Sequence, residues 1–263
     1  MGNNNPIGVF DSGLGGLTVV KELIRQLPGE HIVYYGDTAR VPYGTKSKES
    51  IIRFSHENTQ ILLKRNVKMV VVACNTSSSY ALVQLRKHFH LPIVGVIDPG
   101  ARKAVEVTRN KKVGVIATPA TVNSRSYAQA IARYDRAIKV SSQACPLFVP
   151  LVEEGWLRKP VTTAVAREYL QSLRRSGIDT LVLGCTHYPL LKGVLRGVMG
   201  ARVTLVDSAH EVASEVKRIL EERNLLRTSG GRARHSFLIS DRPQQFEKTA
   251  KEFLGYHINA VKI

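Results

Sequence analysis

The sequence predicts an α/β fold of two pseudo-symmetric halves, each a doubly wound parallel sheet, with a candidate crevice at their interface. Three observations carry this expectation. Short runs rich in Val, Ile and Leu alternate with longer stretches of helical period, the signature of βα units whose sheet is covered on both faces. An apolar run ends in a cysteine twice, over residues 70–74 and 181–185, so Cys74 and Cys185 each sit just past a buried strand. The order of elements also recurs at about half the chain length. Strand 7–10 followed by Asp11 answers to strand 113–117 followed by Thr118, and Asp98-Pro99-Gly100-Ala101 answers to Asp207-Ser208-Ala209.

Taken in order, the first strand, 7–10, ends at the turn Asp11-Ser12-Gly13, and a helix is expected over 17–27. Strand 32–35 leads to the rigid turn Val41-Pro42-Tyr43-Gly44-Thr45 and a helix over 48–64. Strand 69–73 runs into the polar string Asn75-Thr76-Ser77-Ser78-Ser79, which ends burial and supplies a cap for a helix over 77–88. Strand 93–96 gives way after Ile97 to a Pro-Gly turn, the expected seam between the halves, and a helix follows over 101–109. The second half continues with strands 113–117, 138–141, 180–184 and 203–206, separated by helices over 122–134, 161–176 and 188–198, the last with Pro189 in its first turn. A helix over 209–222, the cationic and flexible-looking stretch 227–234, a strand 236–239 and a helix over 244–253 complete the pattern.

A length of 263 residues with 43% hydrophobic residues is enough for a substantial core. No apolar stretch approaches the roughly 20 residues of a membrane helix, and the first six residues lack the features of a secretion signal. Three widely spaced cysteines do not suggest a disulfide framework, so a reducing, cytoplasmic location is expected. The 38 Lys and Arg against 21 Asp and Glu leave a formal charge of +17. These cations are scattered along helical stretches, not blocked together with interleaved aromatics, which reads as solvated helix faces and argues against a dedicated nucleic-acid surface.

Ligands of open parallel sheets bind beyond the carboxyl ends of the strands. If the two halves face each other, Asp11, Ser12, Cys74, Asn75, Thr76, Thr118, Cys185, Thr186 and His187 line one crevice. Two thiols in matching halves could face one carbon from opposite sides, and two opposed bases invert a stereocentre. His187 could hold or relay a proton for Cys185, and Asp11 could do so for Cys74. The competing reading of each cysteine is a small buried hydrophobe. Helix-start amides favour a thiolate at Cys74 and an apolar cavity disfavours it, so the direction of its shift stays open. Cys145 reads as packing, and Glu153-Glu154 as a solvated face. Gly13, Gly15 and Gly16 suggest a phosphate loop, but Thr18 stands where a dinucleotide fingerprint needs its third glycine. They are better read as bringing backbone amides close to a carboxylate. Two cysteines, a histidine and an aspartate are also zinc-ligand types, though neither cysteine belongs to a close ligand pair.

The segments Gly8-Val9-Phe10-Asp11-Ser12-Gly13-Leu14-Gly15-Gly16, Pro42-Tyr43-Gly44, Ala73-Cys74-Asn75-Thr76 and Gly184-Cys185-Thr186-His187-Tyr188-Pro189 resemble the aspartate/glutamate racemase family, and within it the glutamate racemases. The stretch from Cys145 to Gly155 belongs to the same likeness. The resemblance implies a cofactor-independent enzyme that interconverts L- and D-glutamate and supplies D-glutamate for peptidoglycan. It implies Cys74 and Cys185 as the two acid/base residues, Cys74 acting on D-glutamate and Cys185 on L-glutamate. Asp11 and His187 would assist them, with Glu153 near His187. Ser12, Tyr43, Gly44, Asn75, Thr76, Thr118, Thr121 and Thr186 would hold the substrate's ammonium and carboxylates. It further implies a homodimer, no metal, and a chain that returns to its first half after Ser208, so that residues 1–98 with 209–263 form one domain and 99–208 the other. Aspartate racemase is the nearest rival reading. A basic nucleic-acid-binding protein and a zinc hydrolase are the rivals from other classes.

Overall fold

The structure, a computed structural model, describes residues 3–263. Its strands are β1 (Ile7–Asp11), β2 (Ile32–Gly36), β3 (Met69–Val72), β4 (Ile93–Gly95), β5 (Lys112–Ala117), β6 (Lys139–Ala144), β7 (Thr180–Gly184), β8 (Thr204–Asp207), β9 (His235–Ile239) and β10 (Ala260–Lys262). Its helices are α1 (Leu17–Gln26), α2 (Lys48–Leu63), α3 (Asn75–Tyr80), α4 (Leu82–His88), α5 (Ile97–Val107), α6 (Pro119–Asn123), α7 (Ser126–Tyr134), α8 (Phe148–Glu153), α9 (Pro160–Arg175), α10 (Lys192–Met199), α11 (Ser208–Glu222) and α12 (Pro243–Leu254).

Two parallel sheets result, one in the order β10-β9-β2-β1-β3-β4 and one in the order β6-β5-β7-β8. The stretch β2-β1-β3-β4 and the whole of β6-β5-β7-β8 share one topology, which is the repeat legible in the sequence. Within it β3 answers to β7, so Cys74 and Cys185 leave corresponding strands. The central strands β1, β3 and β7 are buried along their full length and read as continuous apolar runs because helices cover both faces. The edge strand β6, Lys-Val-Ser-Ser-Gln-Ala, is half exposed and correspondingly polar. One continuous apolar cluster joins residues of both sheets, from Val9 and Val71 to Leu183 and Phe253.

Several sequence-based boundaries shift, each for a local reason. The Pro-Gly seam after Ile97 is not a turn: α5 begins at Ile97 and carries Pro99 in its first turn, where a missing N–H costs nothing. The helix expected over 77–88 starts earlier, at Asn75, and breaks at Ala81. There Ser79 Oγ donates back to the Asn75 carbonyl at 2.8 Å, a bond that bends helices. The helix expected over 122–134 is divided by Arg125 in the left-handed region, where Ser124 Oγ takes the Ser126 N–H at 3.2 Å. The strand β10 and the short helix α8 were not anticipated. Among the described residues no helix is long and apolar enough to cross a membrane.

Candidate functional site

Cys74 is the N-cap residue of α3, and its sulfur accepts the Ser77 N–H at 3.5 Å. The thiol lies 3.8 Å from Ser12 Oγ. Burial pushes Cys74 up to about 11, with the nearby Asp11 carboxylate acting in the same direction and the Ser77 and Ser12 hydrogen bonds against it. The open sign is thus decided: the apolar wall outweighs the helix-start amide, and Cys74 rests as a thiol. Asp11 is fully buried and makes no hydrogen bond to Cys74; Ser12 occupies that position. Its Oδ2 accepts the Gly13 N–H at 3.0 Å, while Oδ1 is buried with no partner. Burial raises the Asp11 carboxyl, offset in part by the charge of His187 and the backbone amides of the glycine turn.

Cys185 is differently equipped. Its Sγ stands 3.8 Å from His187 Nδ1, and His187 Nε2 stands 2.9 Å from Glu153 Oε1. Burial disfavours the imidazolium, but the hydrogen bonds with Cys185 and Glu153 outweigh it and hold His187 up at about 10. Glu153, expected on its own residues to be a solvated face, instead ends α8 and turns inward to the imidazole, its side chain 31% exposed. Glu154 beside it stays on the outer side, so the pair splits between two roles.

Both cysteines line a single buried cavity of about 30 Å³. Ser12, Tyr43, Gly44, Asn75, Thr76, Thr118, Glu153, Thr186 and His187 line it with them. Asp11 and Thr121, by contrast, sit behind this lining. Thr121 belongs to a triangle of hydroxyls with Thr76 and Thr118, whose Oγ1 atoms are 2.9 to 3.2 Å apart. Asn75 Oδ1 accepts the Tyr127 hydroxyl at 2.7 Å, which leaves Asn75 Nδ2 buried without a partner. The Tyr43 hydroxyl turns away from the cavity: it donates to Asp37 and accepts from Asn58, so it is the Tyr43-Gly44 backbone that this network holds in place.

The first turn brings its backbone amides to the Asp11 carboxylate, and Gly15 there and Gly44 in the later turn have a second effect. A Cβ at Gly15 would stand 2.2 Å from Thr186 Oγ1 and 2.5 Å from His187 Nδ1, and one at Gly44 would stand 2.7 Å from Thr118 Cβ. Their lack of a side chain lets the two halves meet. Thr18, which spoils a dinucleotide fingerprint, donates across the same junction to the Thr186 carbonyl at 3.1 Å. Cys145 is fully buried and pushed upward by that burial, which suits packing. Among the described residues no three His, Cys, Asp or Glu side chains converge in a metal-holding group.

Sequence reasoning missed Asp37, Asn58 and Phe253. The first two precede or follow the Val-Pro-Tyr-Gly-Thr turn without any periodic signal. Phe253 looks like one more apolar residue of an amphipathic helix, and only packing places its ring 5.7 Å from the His187 ring.

Comparison with known proteins finds relatives along the whole chain. The profile of the Asp/Glu/Hydantoin racemase family matches residues 7–216. A glutamate racemase of Geobacter metallireducens is 53% identical over 249 residues, covering 95% of this chain and 92% of its own length. The crystal structure of a glutamate racemase isoform of Bacillus anthracis superposes with a TM-score of 0.96 at 40% identity, covering 99% of this chain and 98% of that one. A glutamate racemase of Francisella tularensis, solved in complex with D-glutamate, gives a TM-score of 0.93 at 38% identity, again covering 99% and 98%. With two parallel sheets of matching strand order, paired cysteines in one cavity and relatives of this closeness along the whole chain, the protein belongs to the Asp/Glu/hydantoin racemase family.

Proposed function

We propose that this chain interconverts L- and D-glutamate without a cofactor, by two opposed cysteines. The observation that carries the reading is the placement of Cys74 and Cys185 at the ends of corresponding strands, on one cavity, with only Cys185 assisted by a charged imidazole. Cys185 as thiolate takes the α-proton of L-glutamate: the C–H bond breaks, an S–H bond forms, and the electron pair passes into an enolate-like carboxylate. Cys74, held as a thiol by its burial, delivers its proton to the opposite face. The reverse direction exchanges the two roles, and proton exchange through His187 and solvent restores the starting state.

No metal or pyridoxal spreads the charge in this scheme, so binding must supply the stabilisation. Asn75 Nδ2, buried and unpartnered on the cavity wall, suits a carboxylate, and Asp11 Oδ1, unpartnered behind that wall, adds negative charge that favours the substrate ammonium. The Thr76 and Thr118 hydroxyls offer further donors at a second carboxylate, oriented by Thr121 behind them. The narrow cavity between the two cysteines favours reaction in a confined, water-poor site.

The decisive experiment incubates the protein with L-glutamate in deuterated water, without added cofactor, and follows optical rotation and α-deuterium together. Loss of rotation with α-deuteration is expected, and Cys74→Ser and Cys185→Ser should each abolish the loss of rotation. Aspartate, run in parallel, should react far more slowly. Unchanged rotation with every amino acid tried would overturn the reading. The proposal extends to a cytoplasmic homodimer whose domains are residues 1–98 with 209–263 and 99–208, supplying D-glutamate for peptidoglycan. Sedimentation equilibrium checks the dimer, and growth restored by external D-glutamate on depletion checks the supply.

A further inference from the structure

The His187 imidazole belongs to the second half, just past β7, yet two of the groups around its ring belong to the first. Gly15 lies so close that a Cβ there would stand 2.5 Å from Nδ1 and 2.7 Å from Cε1. Phe253, buried on α12, meets the ring edge to face, with centroids 5.7 Å apart and planes at 88°. Helix α12 follows β9 of the six-stranded sheet, so Phe253 is carried by the body that holds Cys74 and not by the one that holds Cys185.

The polar contacts alone do not fix the imidazole. Glu153 Oε1 holds Nε2 at 2.9 Å, but the Cys185 Sγ contact at Nδ1 is long at 3.8 Å, so the ring can still rock about its Cβ–Cγ bond. Turning would swing the N–H lobe at Nδ1 off the sulfur, and hydrogen bonds weaken steeply with angle. Walls on the ring stop that motion, and Gly15 and Phe253 are such walls.

We propose that Phe253 is a positioning residue for proton transfer on the Cys185 side, locking the plane of the His187 imidazole from the opposite half of the molecule. The inference rests on the two-cysteine reading above. It gives a role to an aromatic ring of the first half that packs on a proton relay of the second.

The test compares Phe253→Leu with Phe246→Leu. Phe246 is buried on the same helix and packs against the Tyr34 ring, where Phe253 packs against the His187 ring, so it controls for loosening of α12. Because the enantiomers are equal in free energy, kcat/KM must fall equally in both directions, and that fall alone says nothing about which side is damaged. Primary α-deuterium isotope effects do say it. For Phe253→Leu, kcat should fall about tenfold, part of the ~10²–10⁴ that positioned acid–base groups supply. The isotope effect should rise with α-deuterated L-glutamate and drop with α-deuterated D-glutamate, because transfer at Cys185 becomes the higher barrier. Phe246→Leu should leave both isotope effects as in the parent. If Phe253→Leu fails to fold, Phe253→Met carries the same measurement. Unchanged isotope effects, or a symmetric change equal to that of Phe246→Leu, overturn the inference while Cys185→Ser remains inactive. Racemisation that survives in Cys185→Ser would instead sink the two-cysteine reading itself.

Discussion

The Thr18 hydroxyl shares its hydrogen between the Gly15 carbonyl at 2.9 Å and the Thr186 carbonyl at 3.1 Å, the latter 168 positions away in the chain. Thr18 sits in the first turn of the first helix and Thr186 directly follows Cys185. The bond to Thr186, with the bare backbone of Gly15 beside it, sets how closely the Cys185 loop approaches the half that carries Cys74.

Gly15→Ala is therefore expected to act on catalysis more than on folding. The added methyl would stand 2.2 Å from Thr186 Oγ1, so the loop must retreat by roughly an ångström. A displacement of that size costs about 100-fold in rate where reacting groups must be aligned. Steady-state kinetics with unchanged far-ultraviolet circular dichroism checks this; activity within about twofold of the parent would show that the loop is not held at Gly15.

Removing the negative charge behind His187 should move the pH profile. The Glu153 carboxylate helps hold the imidazole at about 10, so Glu153→Gln lowers that value and pulls the alkaline limb of kcat to lower pH. A loss of about tenfold or more at neutral pH is expected from impaired proton relay.

Stability should also fall on the alkaline side. His187 is raised from an ordinary value of about 6.5 to about 10, so its contribution is complete below about pH 6.5 and is lost as pH rises through about 10. Cys74, raised to about 11, adds in the same direction, because the unfolded thiol ionises first. Urea unfolding at several pH values between 6 and 10 checks the sign, and a midpoint that rises over this range would contradict it.

The hydroxyl triangle of Thr76, Thr118 and Thr121 predicts a binding defect. Thr118→Val keeps the shape and removes one hydroxyl from the cavity wall. An unmade hydrogen bond of about 1–1.5 kcal/mol corresponds to roughly a tenfold higher KM. If only kcat changes, Thr118 contacts the transition state and not the bound substrate.

Far from the site, Lys68 is fully buried and paired with Glu30, and its ammonium also donates to the Asn3 and Leu225 carbonyls at 2.8 and 2.7 Å. Lys68→Met leaves Glu30 buried without its partner, a loss of about 3–5 kcal/mol. The melting temperature should drop by on the order of 10 °C, with the activity of the folded fraction retained. Calorimetry checks the first and active-site titration the second.

Much of this was legible residue by residue. The apolar runs ending at Cys74 and Cys185, the Asp-Ser-Gly turn and Cys-Thr-His-Tyr-Pro are local patterns, and strand and turn chemistry act over a few residues. The nine strands expected from those patterns all form, 180–184 with the same bounds and the others with shifted ends. Pro99 misled because a proline read as a turn is equally at home in a helix's first turn, and the choice depends on what α5 packs against.

The sequence by itself determined the fold class, the twinned strand order and the two thiols, because periodicity and turn residues are short-range properties of the chain. Only the tertiary structure decided that burial overrides the helix-start amide at Cys74, that Glu153 faces inward to His187, and that Phe253 flanks that ring. Each of these depends on groups from distant parts of the chain sharing one dry space, where desolvation and charge are set by neighbours that no local pattern names.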